Sequence, residues 1–441
     1  MSNLEMKIVD IRQIFANKDL RNRIGFIFLV AVIYTFLAHV PIPIAEPVIL
    51  KDFLRNTLEG DNFLGLANLF NGGAISNFSI TIIGLSPYIT ASIIIQLLTQ
   101  VLPQLQQLSE EGQRGQERIN YYTRLFTLPV AVVQAVGTVF LIRQTAVSTG
   151  NLDFLAGAQL SNWVLIISTI VAGSMILMWL GELITEKGIG NGISVLIFFS
   201  IVAGLPQLIA GNFTVSVTGD SGVFTGIILV ITAILTTAFV VLITEAQRNI
   251  PISYAKRASI SQATINNYLP IRLLTSGVIP IIFALALLSL PAFLGRLLQE
   301  ASSSWIVDLA NWLQVHYDSN NWFYNLNYFI LIMGFSYFYT FIIFKPDQIA
   351  ENLQKQSGFV PGIRPGDETV SYIKTRLKRL TIIGALALAA ISLLPYFLSM
   401  TLNISQNLTL SGTSLVIIVA VVVETYKQIE AKLITANYDK F

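Results

Sequence analysis

Ten apolar runs, each long enough to cross the hydrocarbon of a bilayer, constrain the fold of this chain more than any other feature. A spanning helix needs about 20 such residues. The runs lie at about 24–43, 74–102, 125–143, 161–181, 191–210, 223–244, 271–294, 325–344, 380–399 and 412–429. Charged types make up only 12% of the 441 residues, whereas soluble domains carry roughly 25%. The sequence therefore predicts an all-α polytopic membrane protein with ten transmembrane helices.

The positions of Lys and Arg predict the orientation. Ten crossings place both termini on one side of the membrane. If that side is the cytosol, the outer segments hold only Lys51, Arg55, Arg143 and Arg296, which leaves 23 of the 27 basic residues inside. Cationic flanks are translocated poorly. Both termini are therefore predicted to be cytosolic.

Two inverted halves are predicted by the order of the runs. Division near residue 215 gives an N-terminal half, 1–215, and a C-terminal half, 216–441, each with five crossings, and an odd number of crossings inverts the second half. The second run opens with "GLSPYI" and the seventh with "GVIPII". Broken helices at matching positions indicate a pathway at the repeat interface. Because Gly and Pro are common in membrane helices, an ordinary packing role stays open on this pattern alone.

Two long basic loops are predicted on the cytosolic side, at 245–270 and 345–379. Pro251 and the "PGIRPG" turn at 361–366 interrupt them. A single basic inner loop is explained well enough by topology. Two loops on one side, with Arg364 held between two Pro-Gly turns, favour a docking surface.

Catalytic and cofactor motifs are absent from the sequence. It contains no P-loop, no cysteine and only two histidines, His39 and His316, which have no partner at ligand spacing. Acidic residues within the runs are nearly confined to Glu424. We therefore expect no cofactor, no metal and no enzymatic activity. An inverted-repeat secondary transporter is the alternative, although it should place ionisable groups near the midplane, and an intramembrane hydrolase would need a nucleophile or an acid dyad there.

Seven blocks of the sequence resemble the SecY family, which forms the channel subunit of the bacterial Sec protein translocase. In chain order they read "SPYITASIIIQLL", "GSMILMWLGELITEKGIGNGIS", "VAGLP", "YAKR", "SGVIPIIFA", "FVPGIRPG" and "GTSLVIIV". The resemblance runs from about Ile24 to the C-terminal tail. It implies an hourglass pore between two five-helix halves, which passes unfolded preproteins across the membrane and releases transmembrane segments laterally into lipid.

The resemblance also implies partners and a location. SecE would clamp the back of the channel and SecG would often be attached, while the SecA ATPase or a translating ribosome would supply the driving force. Signal sequences of preproteins and membrane lipid would be further contacts. The implied location is the plasma membrane of a bacterium, with a plastid or thylakoid membrane left open.

A pore ring of six aliphatic residues is implied by position within the matching blocks. Its members are Leu85, Ile89, Ile193, Ile197, Ile282 and Ile417. The pairs 85/89 and 193/197 are spaced four apart and share a helix face. Flexible apolar side chains can deform around an extended peptide, and an apolar constriction excludes water when it is empty.

A plug is implied at about 63–77, as a short half-helix that fills the outer funnel before a spanning helix that starts near Ile82. Its named residues are Leu69, Phe70, Asn71, Gly72 and Gly73. Polar backbone is tolerated at membrane depth where it lines a cavity within the protein, and an ordinary outer loop is the alternative. If 63–73 were deleted, we expect the channel to leak ions, but less persistently than with polar side chains in the ring, because "AISNFSI" could refill the funnel in part.

The lateral gate would lie between spans two and three and spans seven and eight. Its polar candidates are Thr90, Gln134, Thr275 and Ser276, and Leu274 stands where the bacterial pattern commonly has Asn. The implied contacts for SecA or the ribosome are Arg248, Lys256, Arg257 and Arg364. A guanidinium held between turns suits bidentate recognition of phosphate or carboxylate.

The outer loop at 295–325 holds three of the five tryptophans, Trp305, Trp312 and Trp322. Indoles favour the headgroup level of a membrane. We therefore predict a helix at about 303–315 that lies near the outer interface.

Overall fold

The computed structural model describes residues 17–43, 68, 71–150, 159–217, 222–254, 267–299, 303–402 and 407–438, which form thirteen helices and three strands. The first seven helices are α1 Lys18–Leu37, α2 Ser86–Val101, α3 Pro103–Glu110, α4 Gln113–Gly150, α5 Leu160–Lys187, α6 Gly192–Val217 and α7 Gly222–Glu245. Strands β1 Gln247–Tyr254 and β2 Asn267–Arg272 follow. The rest are α8 Ile279–Leu298, α9 Ser304–His316, α10 Trp322–Phe344, α11 Pro346–Lys355, β3 Gly358–Phe359, α12 Asp367–Leu402 and α13 Asn407–Tyr438.

Every apolar run of the sequence overlaps one of these helices, namely α1, α2, α4 to α8, α10, α12 and α13, although the runs at 74–102 and 271–294 begin in non-helical segments before α2 and α8. Within the described residues, six helices are long and apolar enough to cross a membrane, or seven if α2 and α3 form one broken span. These two helices meet at a 98° bend, where Pro103 occupies the first position of α3 and suits a helix start. The predicted helical membrane fold is confirmed, and the ten predicted crossings are compatible with these helices.

The chain divides into two compact units. The first comprises Met1–Gly222, Ala286–Asn321 and Val421–Phe441, and the second comprises Val223–Leu285 and Trp322–Ala420. The division into inverted halves near residue 215 remains a prediction.

The main core of the first unit surrounds residues 75–83, which pack between α4 and α5. Phe78 and Ile82 are each 1% exposed and contact small and aliphatic residues of those helices. Ala131 and Ala135 of α4 are fully buried in this cluster, because their short side chains let the segment approach the helix closely. The core thus holds a non-helical stretch against two membrane helices.

The second unit carries a three-stranded antiparallel sheet in the order β2-β1-β3. Side chains alternate along the second half of β1, so Ile250 and Ile252 are buried while Pro251 and Ser253 are exposed. Arg248 lies on the same face as Ile250, but it is exposed at the start of the strand. The buried face packs on Ile373 and Leu377 in the first turns of α12. The sheet therefore forms one body with the extramembrane start of a spanning helix.

Candidate functional site

The predicted plug region is a series of turns over residues 71–78 rather than a helix. Gly72, Gly73 and Phe78 have positive φ angles of 63°, 80° and 45°, and a right-handed helix cannot pass through such residues. The half-helix prediction was wrong for these residues, and α2 begins at Ser86 rather than near Ile82. Positions 63–67, Leu69 and Phe70 lie outside the described residues.

The polar side chains of this segment find their partners inside the protein. Asn71 Nδ2 donates to the carbonyl of Ile82 at 2.7 Å. Ser76 Oγ donates to the carbonyl of Gly73, and Ser79 Oγ donates to a carbonyl at the end of α1, both at 2.7 Å. A buried backbone carbonyl needs such a donor. The stretch that suits lipid poorly is therefore stable because protein surrounds it.

The turns that precede α2 are seated directly on α5. A Cβ added to Gly173 would lie 2.1 Å from the carbonyl oxygen of Ile80, so only a glycine permits this approach. Ser174 Oγ donates to the carbonyl of Gly84 at 3.0 Å. Gly84 has a φ of 55° and ends the turns one residue before the helix cap.

The second unit repeats this arrangement before α8. Gly277 has a φ of 61°, and α8 begins two residues later with Pro280 at its second position, as Pro87 is in α2. A Cβ added to Gly384 of α12 would lie 2.4 Å from the carbonyl oxygen of Leu273. Leu273 precedes Gly277 by four residues, as Ile80 precedes Gly84. The two segments thus share three features: turns that end in a left-handed glycine, a proline at the second position of the helix that follows, and a backbone carbonyl packed against a glycine of another helix.

Four of the six predicted ring residues belong to the first unit. Leu85 caps α2, Ile89 lies in its first turn, and Ile193 and Ile197 lie in the first two turns of α6. Leu85 and Ile197 are buried, whereas Ile89 and Ile193 are half-buried. Ile193 packs against α5, because its Cγ1 would lie 3.3 Å from a Cβ at Gly181.

The other two predicted ring residues belong to the second unit. Ile282 is the fourth residue of α8 and is 9% exposed, and Ile417 of α13 is fully buried. The assembly of all six side chains into one ring remains a prediction.

Among the predicted gate residues, Gln134 Nε2 donates to Thr90 Oγ1 at 3.4 Å. This bond joins α4 to α2 within the first unit, so it links helices on the same side of the proposed gate. Thr275 Oγ1 donates to the carbonyl of Arg272 at 2.9 Å, and its hydroxyl is therefore engaged locally. Ser276 is 4% exposed and Leu274 8% exposed. The gate role of these residues stays a prediction.

The predicted docking residues Arg248 and Arg364 are both exposed in the second unit. Arg364 lies between Gly362 and Gly366, whose φ angles are 83° and 102°, and its carbonyl accepts a 2.8 Å hydrogen bond from Thr369 Oγ1. Neither guanidinium forms an ion pair within the part of the chain that the structure describes. Lys256 and Arg257 fall outside that part.

One carboxylate of α11 in the second unit forms a local ion pair. Glu351 Oε1 and Lys355 Nζ of α11 are 2.7 Å apart, and the hydrogen bond from Lys355 lowers the pKa of Glu351. Both side chains are exposed, so water screens the pair and it contributes little to stability.

The family model for SecY matches residues 79–426. The chain belongs to the SecY family. A protein translocase subunit SecY from Pseudomonas aeruginosa is 40% identical over 424 residues, which cover 96% of this chain and 92% of the relative. The SecY subunit from Aquifex aeolicus is 39% identical over 434 residues and covers 98% of each chain.

Three solved structures of low sequence identity share the fold. A protein-conducting channel superposes with a TM-score of 0.62 at 18% identity, over 93% of this chain and 92% of the other. A second is a SecY protein whose plug domain stabilises the closed state of its translocation channel and maintains a membrane seal, with a TM-score of 0.59 at 17% identity and the same coverage. Sec61 of the canine ribosome-channel complex gives 0.57 at 19% identity, again with the same coverage.

The sequence reasoning missed the sheet that bears Arg248. Ile250, Ile252 and Tyr254 alternate with polar residues in "QRNIPISY", which is the strand pattern. Pro251 argued against a strand because proline cannot donate to a sheet. It is nevertheless accommodated within β1, opposite Tyr268 of β2.

Proposed function

We propose that this SecY-family chain forms the protein-conducting channel of a Sec translocase, which passes unfolded preproteins across the membrane and releases transmembrane segments laterally into lipid. The observation that carries the proposal is the buried, non-helical stretch 71–85, which ends where the apolar side chains of Leu85 and Ile89 begin. Irregular backbone at membrane depth needs a protein cavity around it. A channel closed by a plug above an apolar ring supplies that cavity.

The proposed mechanism relies on apolar side chains because the substrate has no fixed sequence. An extended preprotein presents every type of side chain in turn, so a site built from specific hydrogen bonds would bind some segments and reject others. Leu and Ile side chains change rotamer around each segment and exclude ions when the channel is empty. The six predicted ring residues would carry this role, with the plug as a second seal.

The division into two inverted halves is part of this proposal. It is supported by the matching turns before α2 and α8. Each contains a left-handed glycine and packs a backbone carbonyl against a glycine of a neighbouring helix. Such a repeat places the pathway at the interface of its halves.

Partners and location are proposed from the same basis. SecE and SecG would complete the complex, and SecA or a ribosome would drive transport, so the chain itself would catalyse no reaction. Arg364, which forms no ion pair with the residues that the structure describes and is held between two left-handed glycines, supports a docking role. Relatives from bacteria and the charge asymmetry of the loops support a bacterial plasma membrane with cytosolic termini.

The proposal is tested by reconstituting the chain with SecE in liposomes and adding SecA, ATP and a radiolabelled preprotein. We expect preprotein to become protected from external protease, and protection should require both the signal sequence and the chain. Equal protection without the chain would contradict the channel function.

The docking role is tested by Arg364→Glu, which replaces attraction to an acidic partner surface with repulsion. We expect SecA-driven protection to be largely lost while SecE still copurifies. Lys374→Glu is the matched control, since Lys374 is also exposed in the same unit and the change in net charge is the same. Equal losses in both variants would reduce the role of Arg364 to bulk charge.

A further inference from the structure

The short helix α9 differs from the spanning helices because its surface has three distinct sides: one contacts protein, one exposes aromatic and apolar side chains, and one is mainly polar. Ala310 is fully buried, and Gln314 is half-buried. Gln314 Nε2 donates to the carbonyl of Gly295 at 3.1 Å, and Gln299 Nε2 donates to Gln314 Oε1 at 2.9 Å. This side of α9 is fixed to the end of α8.

The contact with Gly295 fixes the position of α9 along the axis of α8. A Cβ on Gly295 would lie 3.0 Å from Leu313 Cβ and 3.1 Å from the carbonyl oxygen of Ala310, so the two helices touch at this glycine. Gly295 is three residues before the end of α8, which corresponds to about 5 Å along the helix axis. Because α8 is long and apolar enough to span a membrane, a spanning α8 would leave the hydrocarbon near the level of α9.

The second side of α9 is an exposed aromatic stripe. Trp305, Leu309 and Trp312 are spaced four and three residues apart and share one face, with exposed fractions of 67%, 43% and 45%. The Trp312 ring stacks on the His316 ring at 4.5 Å between centroids, which continues the stripe through the last turn. Large indoles exposed in a row at the membrane boundary are typical of contact with lipid headgroups.

The third side is exposed and mainly polar, with Ser304, Asp308 and Asn311 at the same spacing, and only Val315, 61% exposed in the last turn, is apolar on this side. The sequence of α9 contains no Lys or Arg, so the helix has no cationic side chain that would attract anionic headgroups. This distinguishes it from the basic amphipathic helices that bind membranes by charge.

We propose that the Trp305, Leu309 and Trp312 stripe inserts into the boundary between headgroups and acyl chains of the surrounding phospholipid. One side of α9 contacts protein, the next contacts lipid and the third contacts water. The insertion depends on apolar and indole contacts, so zwitterionic phospholipid suffices. The helix thereby fixes the depth at which α8 ends.

Depth-dependent quenching tests this proposal. In the full chain, all tryptophans except Trp305, or all except Trp312, are changed to Phe, and each protein is reconstituted in phosphatidylcholine vesicles that contain lipid brominated at shallow or deep acyl positions. We expect strong quenching by the shallow label and weaker quenching by the deep label. A chain that retains only Trp179, which is 57% exposed on spanning helix α5, is the positive control for lipid contact. Quenching of Trp179 without quenching of Trp305 or Trp312 would overturn the proposal.

Two further measurements separate the possible causes. Added phosphatidylglycerol or high salt should leave the quenching unchanged, and quenching that needs the anionic lipid and disappears in salt would overturn the apolar mechanism. Hydrogen exchange does not need the single-tryptophan chains. The α9 amides should exchange faster after Trp305→Ser with Trp312→Ser, but not after Ser304→Ala with Asn311→Ala on the polar side. Equal exchange in the two double variants would remove lipid anchoring as the role of the stripe.

Discussion

At the scale of single residues, glycines decide where the turns before α2 and α8 can lie. The sequence predicted breaks at "GLSPYI" and "GVIPII" because Gly and Pro stand there, and both breaks are present. It could not predict that these turns would pack against Gly173 and Gly384, because these glycines lie far away in the chain. A helix pattern shows that a glycine is present but not which backbone atom it faces.

We expect Gly173→Ala and Gly384→Ala each to lower the free energy of unfolding by about 1–3 kcal/mol, the usual cost of overpacking. The added Cβ would meet a backbone carbonyl at 2.1 Å in one case and 2.4 Å in the other, and backbone cannot rotate away as a side chain can. Denaturant titration in mixed micelles measures the change. Gly334→Ala in α10 is the control, since a Cβ added there would meet none of the described residues within 4 Å. Similar stabilities for all three variants would show that the backbone at both contacts shifts to accommodate the added Cβ.

At the scale of elements, the sequence predicted helices better than it predicted what interrupts them. The helix at about 303–315 is confirmed as α9, and its place at the interface stays a prediction. The stretch 71–78 was expected to be helical because it resembles a half-helix in the family, yet Gly72, Gly73 and Phe78 adopt left-handed conformations. Their conformation depends on contacts with α1, α4 and α5, which no local pattern records.

The structure changes the expectation for deletion of 63–73. Residues 74–80 were expected to refill the funnel, but they are fixed in place, because Ile80 N donates to Val40 O at 3.0 Å, Ile42 N donates to Phe78 O at 2.9 Å and Phe78 is buried in the core. We now expect a persistent ion leak in planar-bilayer recordings of the resting channel. Deletion of 317–321, the turn between α9 and α10, is the control for a shortened outer loop and should leave conductance at the parent level. A leak that closes within the recording would favour refilling.

At the scale of the whole molecule, the apolar runs and charge asymmetry were enough to predict a helical multi-pass protein. Residue function was harder to predict because aliphatic residues are expected everywhere in a membrane helix. Ile417 is fully buried, which suits a ring residue and a packing residue equally well. Burial within one unit does not assign a role in the proposed pore, so the ring must be tested by its effect on conduction.

The ring is tested by Ile89→Asn combined with Ile417→Asn. An apolar constriction holds back ions because a hydrated ion would lose water without gaining a ligand, and an amide on each half would supply that ligand. We expect the purified complex, without SecA, to conduct ions in planar bilayers and to accept less hydrophobic signal sequences, since the closed state loses stability relative to the open state. Ile234→Asn with Ile383→Asn is the matched control, because these isoleucines are 63% and 59% exposed on α7 and α12. It adds the same two amides away from the proposed ring and should stay silent. If neither double variant conducted more ions than the parent, Ile89 and Ile417 would not belong to the seal. If both conducted ions, the amides would act by destabilising helix packing rather than by hydrating a constriction.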